Sequence, residues 1–460
     1  MKAPFEGKLE MDRNQIMVGK HQLFIVASLL ILLGWPSLLS NVFDYNYDEI
    51  LPSIIELIPC VLALVVVMLI VNPYGKLIGF VWLAWYFVGV LNTLASSVVL
   101  GSYFSQLELG PSTVIYFFGC IFYFSGVLIF EKNNFVTNEN SYSTSNVYLD
   151  IGKRFGFLLL MFPFIWLVSL YSVLGYFPIL SNVDLVGDMY EISYGPLYPY
   201  GAVMVISILY SGFLSITSTT RRTKFSYLAL TVIIVLISTV DGKRAFAMTS
   251  VGGLIALSFK LMKEKTWTRV LPVIAIFLLV LYIGVNLIRI ERNGGQIFDS
   301  YSQMMLVGVE FRDFVYTVNF FKPGEIYNYH YAASSFASLT NGWVMSLFGL
   351  DKNEIVNLDS AHAWAEIYGS SLGIRTGIIS ELWFAYGLIG MLVLLLFGFI
   401  SGFVIEKIRA AKSVRVLLFV TAIFGLLLIG ITNQSTVTFG FLPTFFYLYV
   451  TMWLFEKYFS

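Results

Sequence analysis

Residues 377–404 read GIISELWFAYGLIGMLVLLLFGFISGFV, and Glu381 is the one charged side chain among them. A helix crosses the hydrocarbon core of a bilayer with about 20 apolar residues, so this run is long enough to do so. It shows none of the polar–apolar alternation over ~10-residue segments that a transmembrane β-barrel strand would carry. Similar runs recur along the chain, and the pattern predicts twelve spans, at 22–40, 51–72, 77–98, 111–130, 155–178, 198–218, 225–240, 245–262, 269–288, 377–404, 415–432 and 439–455. The expected fold class is an all-α polytopic integral membrane protein.

Composition agrees. Only 12% of the 460 residues are charged, against about 25% in a soluble domain, while 58% are hydrophobic and the mean hydropathy is +0.79. Cys60 and Cys120 both sit inside apolar runs, which argues against a disulfide framework or a thiolate metal site. The sequence holds no HExxH or paired CxxC spacing and no GxxxxGK[ST] loop, so neither a metal, another cofactor nor ATP is expected. A formal net charge of zero gives no ground for a nucleic-acid partner. Lys2, Lys8, Arg13 and Lys20 precede an apolar run too long for a signal-peptide core and without an A-x-A site, so no cleavable signal is expected.

The spans divide the chain into a bundle over 1–288, a long polar interval over 289–376 and a second bundle segment over 377–460. No fixed-period repeat relates the parts. Basic loops stay cytoplasmic. With the N-terminus inside and the spans alternating, 20 of the 28 lysines and arginines fall on the inner side, and both termini are cytoplasmic. The eight left outside are Lys243 and Arg244, in the tight turn Asp241-Gly242-Lys243-Arg244, and six in the long interval. Two readings of that turn stay open: cations snorkelling to the headgroups, or a contact to lipid phosphate.

The outer interval concentrates the polar chemistry. Between 289 and 375 lie His330, His362, Arg289, Arg292, Arg312 and Arg375, with nine of the 28 acidic residues. Residues 303–321 place Met305, Val309, Phe311, Phe314, Val315 and Val318 at helical spacing, with Glu310, Arg312 and Asp313 on the polar side. This reads as an amphipathic helix on the outer leaflet or against the bundle. Pro323-Gly324 separates it from a second apolar segment, 332–350, broken at Asn341-Gly342, which lies flat or re-enters. Residues 359–369 predict a short helix with His362 and Glu366 on one face, four residues apart. A carboxylate beside an imidazole raises its pKa and orients the ring for general-base work, though the same pair also occurs as a purely structural hydrogen bond. Arg375 stands at the mouth of the tenth span. Glu381 falls six residues further, about 9 Å along a helix axis, where it is either functional or a salt bridge to Arg375 or Arg244.

At these residues the chain resembles the O-antigen (oligosaccharide repeat-unit) polymerases, the Wzy-type family of Gram-negative inner membranes. The likeness lies in the twelve-span plan, which covers nearly the whole chain, and in the large late outer loop. It also lies in the pattern Gly373-x-Arg375-x-Gly377, then Glu381, then Gly387-x-x-Gly390, and in the basic turn Gly242-Lys243-Arg244. The chain departs from some members in lacking an Arg-x10-Gly repeat after Arg289 or Arg292. The resemblance implies a GT-C-like or polymerase–ligase-type bundle in the bacterial inner membrane, with its site facing the periplasm. It implies a metal-independent, inverting glycosyltransferase that moves a growing glycan from undecaprenyl pyrophosphate onto a new undecaprenyl-pyrophosphate-linked repeat unit. A chain-length regulator is the implied protein partner.

Residue chemistry suits that expectation independently. Pyrophosphate leaves without needing a proton if positive charge receives it, and guanidinium forks do this bidentately. Arg244, Lys243, Arg375, Arg289, Arg292 and Arg312 are the candidate pyrophosphate ligands. His362, assisted by Glu366, is the candidate base for the acceptor hydroxyl, with Glu381 as its rival. Tyr190, Tyr194, Tyr198, Tyr200, Trp343 and Trp364 fit sugar stacking or an ordinary interfacial aromatic belt. Two alternatives stand beside this reading: an O-antigen ligase acting on lipid A–core, and a lipid-linked oligosaccharide flippase or transporter.

Overall fold

The computed structural model describes residues 52–53, 55–100, 108–135, 151–177, 200–240, 245–262, 309–320, 322–323, 337, 340, 342–356, 377–432 and 435–459. All regular structure among them is helical: α1 (Ile58–Leu69), α2 (Pro73–Leu100), α3 (Leu109–Phe135), α4 (Lys153–Leu174), α5 (Tyr200–Thr217), α6 (Arg221–Ile237), α7 (Ala245–Leu261), α8 (Val309–Phe320), α9 (Gly342–Ser346), α10 (Lys352–Val356), α11 (Gly377–Tyr386), α12 (Leu388–Ala410), α13 (Val414–Leu428) and α14 (Ser435–Phe459). Ten of the twelve predicted runs fall among the described residues, and each is helical; 22–40 and 269–288 lie outside them. Leu109–Glu131, Lys153–Leu174 and Leu388–Ala410 are long and apolar enough to cross a membrane, and shorter apolar helices pack around them. The chain is a helical membrane protein.

In lipid, helices gain little from hiding apolar surface from one another, so close backbone packing and buried hydrogen bonds hold them together. Two seams show this. Along α3 and α12, Gly126 and Gly398 let the helix backbones meet: a Cβ on either would strike the Leu395 or the Tyr123 carbonyl. Beside them the Tyr123 and Ser401 hydroxyls share a hydrogen bond of 2.5 Å, and Phe130 packs over Gly402. Along α7 and α13, Gly252, Gly253 and Gly425 do the same against Thr249 and Thr421. The α3–α12 pair runs parallel and the α7–α13 pair antiparallel.

One end of the bundle gathers paired charges. Glu131 at the end of α3 accepts the backbone N–H groups of Val71 and Asn72 at 3.1 and 2.7 Å. Lys260 at the end of α7 donates to the Arg409 carbonyl, Arg409 pairs with Glu406, and Arg415 pairs with Glu456 at 2.6 Å. These cations lie in segments assigned to the inner side by the lysine and arginine distribution.

The run 377–404 is the main correction to the sequence reading. It is not one helix. Gly387 adopts φ +55°, ending α11 and starting α12, so the crossing helix is Leu388–Ala410 and Glu381 belongs to a separate short helix before it. The Leu382 carbonyl packs onto Gly390. In a straight helix these residues would stand about 12 Å apart along the axis, so the chain bends back at Gly387.

Replacing Gly398 with valine should push α3 and α12 apart and lower the thermal midpoint of the detergent-solubilised protein by several degrees, since overpacking costs about 1–3 kcal/mol. Gly152→Ala, where an added methyl meets nothing within 4 Å, is the control; as the N-cap of α4 it should shift the melt far less than Gly398→Val.

Candidate functional site

The end of the bundle opposite the paired charges is built from α8, α11, the first turns of α3 and the second half of α2. The sequence expects a helix at 303–321 on the leaflet or on the bundle; the structure gives Val309–Phe320, docked on the bundle. Phe311, Phe314 and Val315 are buried. The Phe311 ring meets Tyr86 and Tyr116 edge-on at 5.3 and 5.5 Å, seated where Gly89 lacks a side chain. Asn319 clamps the helix to α3: its Nδ2 donates to the Glu108 carbonyl at 2.9 Å, and its Oδ1 accepts the Glu108 N–H at 3.0 Å.

Docking changes the meaning of the polar side of α8. Glu310, Arg312 and Asp313 do not stand in solvent. Arg312 gives Nε and Nη2 to Asp313 Oδ1 at 3.0 and 2.8 Å, and the two side chains are only 19% and 15% exposed. Burial raises the Asp313 pKa above the ordinary aspartate range, against the opposing pull of the Arg312 charge. Glu310 instead lines a water-sized cavity of about 10 Å³ with Trp85, Tyr116, Phe311, Phe314, Ile379, Ser380 and Ile431. Trp85 Nε1 and Ser380 Oγ have no hydrogen-bond partner among the described residues, so one water fits both the space and the unmet polar groups.

Glu381 follows Ser380 on α11 and is fully buried. Its helix starts at Gly377, whose φ of +80° and contact with the Ile431 carbonyl admit no side chain. Ile379 packs against Gly119 on α3, and Pro323, just beyond α8, lies over Gly387. Thus α8 and α11 sit on the same end of α3, with Glu310 and Ser380 facing one cavity. Further along the interval, Lys352 donates to the Thr340 carbonyl at 2.8 Å, and burial lowers its pKa. Leu347 and Phe348, after α9, are 74% and 75% exposed, as suits a segment lying in an apolar interface.

Of the predicted site residues, Glu381 and Arg312 are described. Lys243, Arg244, Arg289, Arg292, His362, Glu366 and Arg375 lie outside the described residues, as do His330, Trp364, Tyr190, Tyr194 and Tyr198. Sequence reasoning missed Glu310 as a cavity residue, although the signal was present: it precedes Phe314 by one helical turn and adjoins Phe311, so it sits on the edge of the docking face. It also missed Ser380 and Trp85, which no motif marks.

Asp313 yields a pH test. Its raised folded pKa means that the folded state holds this proton more tightly than the unfolded chain. The stabilising contribution is therefore full below the unfolded aspartate pKa and is lost as pH rises through the folded value. Asp313→Asn should remove that loss, giving a thermal midpoint at pH 7 equal to or above the parent's and a flatter melt-versus-pH profile on the acid side. No family model, curated protein or solved structure matches this chain, so the functional reading rests on these residues.

Proposed function

We propose that this protein is an O-antigen-type polysaccharide polymerase of the bacterial inner membrane. It would transfer a growing glycan from undecaprenyl pyrophosphate to the non-reducing end of a lipid-linked repeat unit on the periplasmic face. The observation that carries the reading is Glu381, a carboxylate wholly enclosed in a short helix just before a spanning one and beside the docked α8. An ionisable side chain so placed in a membrane protein is a functional-site hypothesis by default.

In the proposed reaction the acceptor hydroxyl attacks the anomeric carbon, the bond from that carbon to the pyrophosphate oxygen breaks, and a base takes the hydroxyl proton. A single in-line displacement inverts the anomeric centre. Arg244 and Arg375, with Lys243 nearby, receive the pyrophosphate. The third cation is Arg289 or Arg292 ahead of Arg312, because Arg312 already shares two N–H groups with Asp313. His362 with Glu366 is the lead base and Glu381 its rival. A chain-length regulator remains the proposed partner.

Among the described residues, the broken helix at Gly387 is the one feature that favours a transporter, since that class uses discontinuous helices at the bilayer midplane. Here the break precedes a helix that is long enough to cross by itself. It marks the end of a span, not its middle, and the polymerase reading stands ahead.

Arg375→Ala or Arg244→Ala should abolish long chains on cells while the protein inserts at normal levels; full-length polymer from Arg375→Ala would refute the site. Loss of the whole protein should leave lipid A–core with a single repeat unit, whereas bare core would identify a ligase. With purified protein, elongation of a lipid-linked repeat unit should fall by about 10²–10⁴-fold when the true base is removed; comparing His362→Ala with Glu381→Gln names it.

A further inference from the structure

A second polar site lies at the opposite end of the bundle, on the paired-charge side. Lys153 and Arg154 open α4, and both are exposed with no ion pair among the described residues. They stand over a shallow groove of about 450 Å³ whose other walls are Phe157, Leu158 and Phe455. Phe157 and Leu158 follow the cations by three to four residues, so they lie on the same helix face about one turn deeper, ~5.4 Å along the axis. They are 61% and 49% exposed. The far wall belongs to α14, where the Phe455 ring contacts Phe155 at 5.2 Å. Glu456, the acid next to Phe455, is held by Arg415 at 2.6 Å, which leaves Lys153 and Arg154 in charge of the groove mouth.

Two cations above an apolar trough form the outline of one molecule type: phosphate at the top, acyl chain below. A bilayer-facing groove excludes a soluble peptide, and a zwitterionic headgroup would present its own cation to Lys153 and Arg154. We propose that this groove is a binding site for an anionic phospholipid. Its phosphate pairs with Lys153 and Arg154, and one acyl chain lies along Phe157, Leu158 and Phe455. The site is separate from Glu381 and independent of the polymerase reading.

The test is native mass spectrometry of the full chain released from detergent after delipidation. It is titrated with phosphatidylglycerol or with phosphatidylcholine of the same acyl chains. The parent should retain phosphatidylglycerol over phosphatidylcholine. The double variant Lys153→Gln/Arg154→Gln should lose at least about tenfold in phosphatidylglycerol affinity, since both cations attract the anionic headgroup. Leu158→Trp, which fills the trough and keeps both charges, should weaken the same binding. Arg221→Gln/Arg222→Gln, at the start of α6, should leave it intact. Equal retention of the two lipids by the parent, or undiminished phosphatidylglycerol binding by the Lys153/Arg154 double variant, overturns the proposal.

Discussion

The contact between the backbones of α3 and α12 is the constraint on which the rest of the described structure depends. Gly126 and Gly398 bring the helices close enough for dispersion along the seam and for the Tyr123–Ser401 hydrogen bond. Within a bilayer these are the forces available, because lipid tails are as apolar as leucine. Once α12 is fixed against α3, the position of Gly387 is fixed too. The bend there, with Leu382 over Gly390, lays α11 on the same end of α3 that receives α8. Ile379 reaching Gly119 and Phe311 reaching Tyr116 are consequences of that single seam.

Charge is distributed by two different rules at the two ends. At one end most of the described acids and bases pair, Arg415 with Glu456 and Arg409 with Glu406, or cap helix ends, as Glu131 and Lys260 do, while Lys153 and Arg154 stay exposed. At the other end polar groups are enclosed: Glu381 fully, Asp313 nearly so, and Glu310 against a cavity large enough for one water. Glu56 is an exception with a simple account. It accepts the Ser53 N–H and hydroxyl at 2.7 and 2.8 Å, a capping arrangement in the turn leading into α1.

Apolar length made the helices legible: ten predicted runs recur as helical segments, nine as one helix each and 377–404 as two, because long apolar runs have few other fates. The docked helix was legible as amphipathic from Phe311, Phe314 and Val315, and its partner surface was not. That surface exists only after folding, when Gly89 on α2 faces Phe311. The bend at Gly387 was hidden for a related reason. Glycine is frequent in spans and usually marks close packing, as Gly398 and Gly402 do, so the residue alone does not separate a bend from a contact. Of the candidate site, the sequence pointed to Glu381 correctly as a residue in need of shelter, but placed it inside the spanning helix.

That difference of placement bears on what Glu381 is for. In an unbroken helix the carboxylate would sit within the span, at a cost on the order of 2.5–3.5 kcal/mol on insertion scales unless a partner helix received it. The bend removes α11 from the crossing helix and turns it onto α3 and α8, where Glu381 is enclosed by protein. A bend at φ +55°, a start at φ +80° against the Ile431 carbonyl and a proline packed over the break are demanding local requirements. A leucine at position 381 would satisfy a merely structural helix and make such an enclosure unnecessary. The arrangement is better explained if the carboxylate must be present and kept from lipid; its neighbour on α11, Ser380, lines with Glu310 a space for one water.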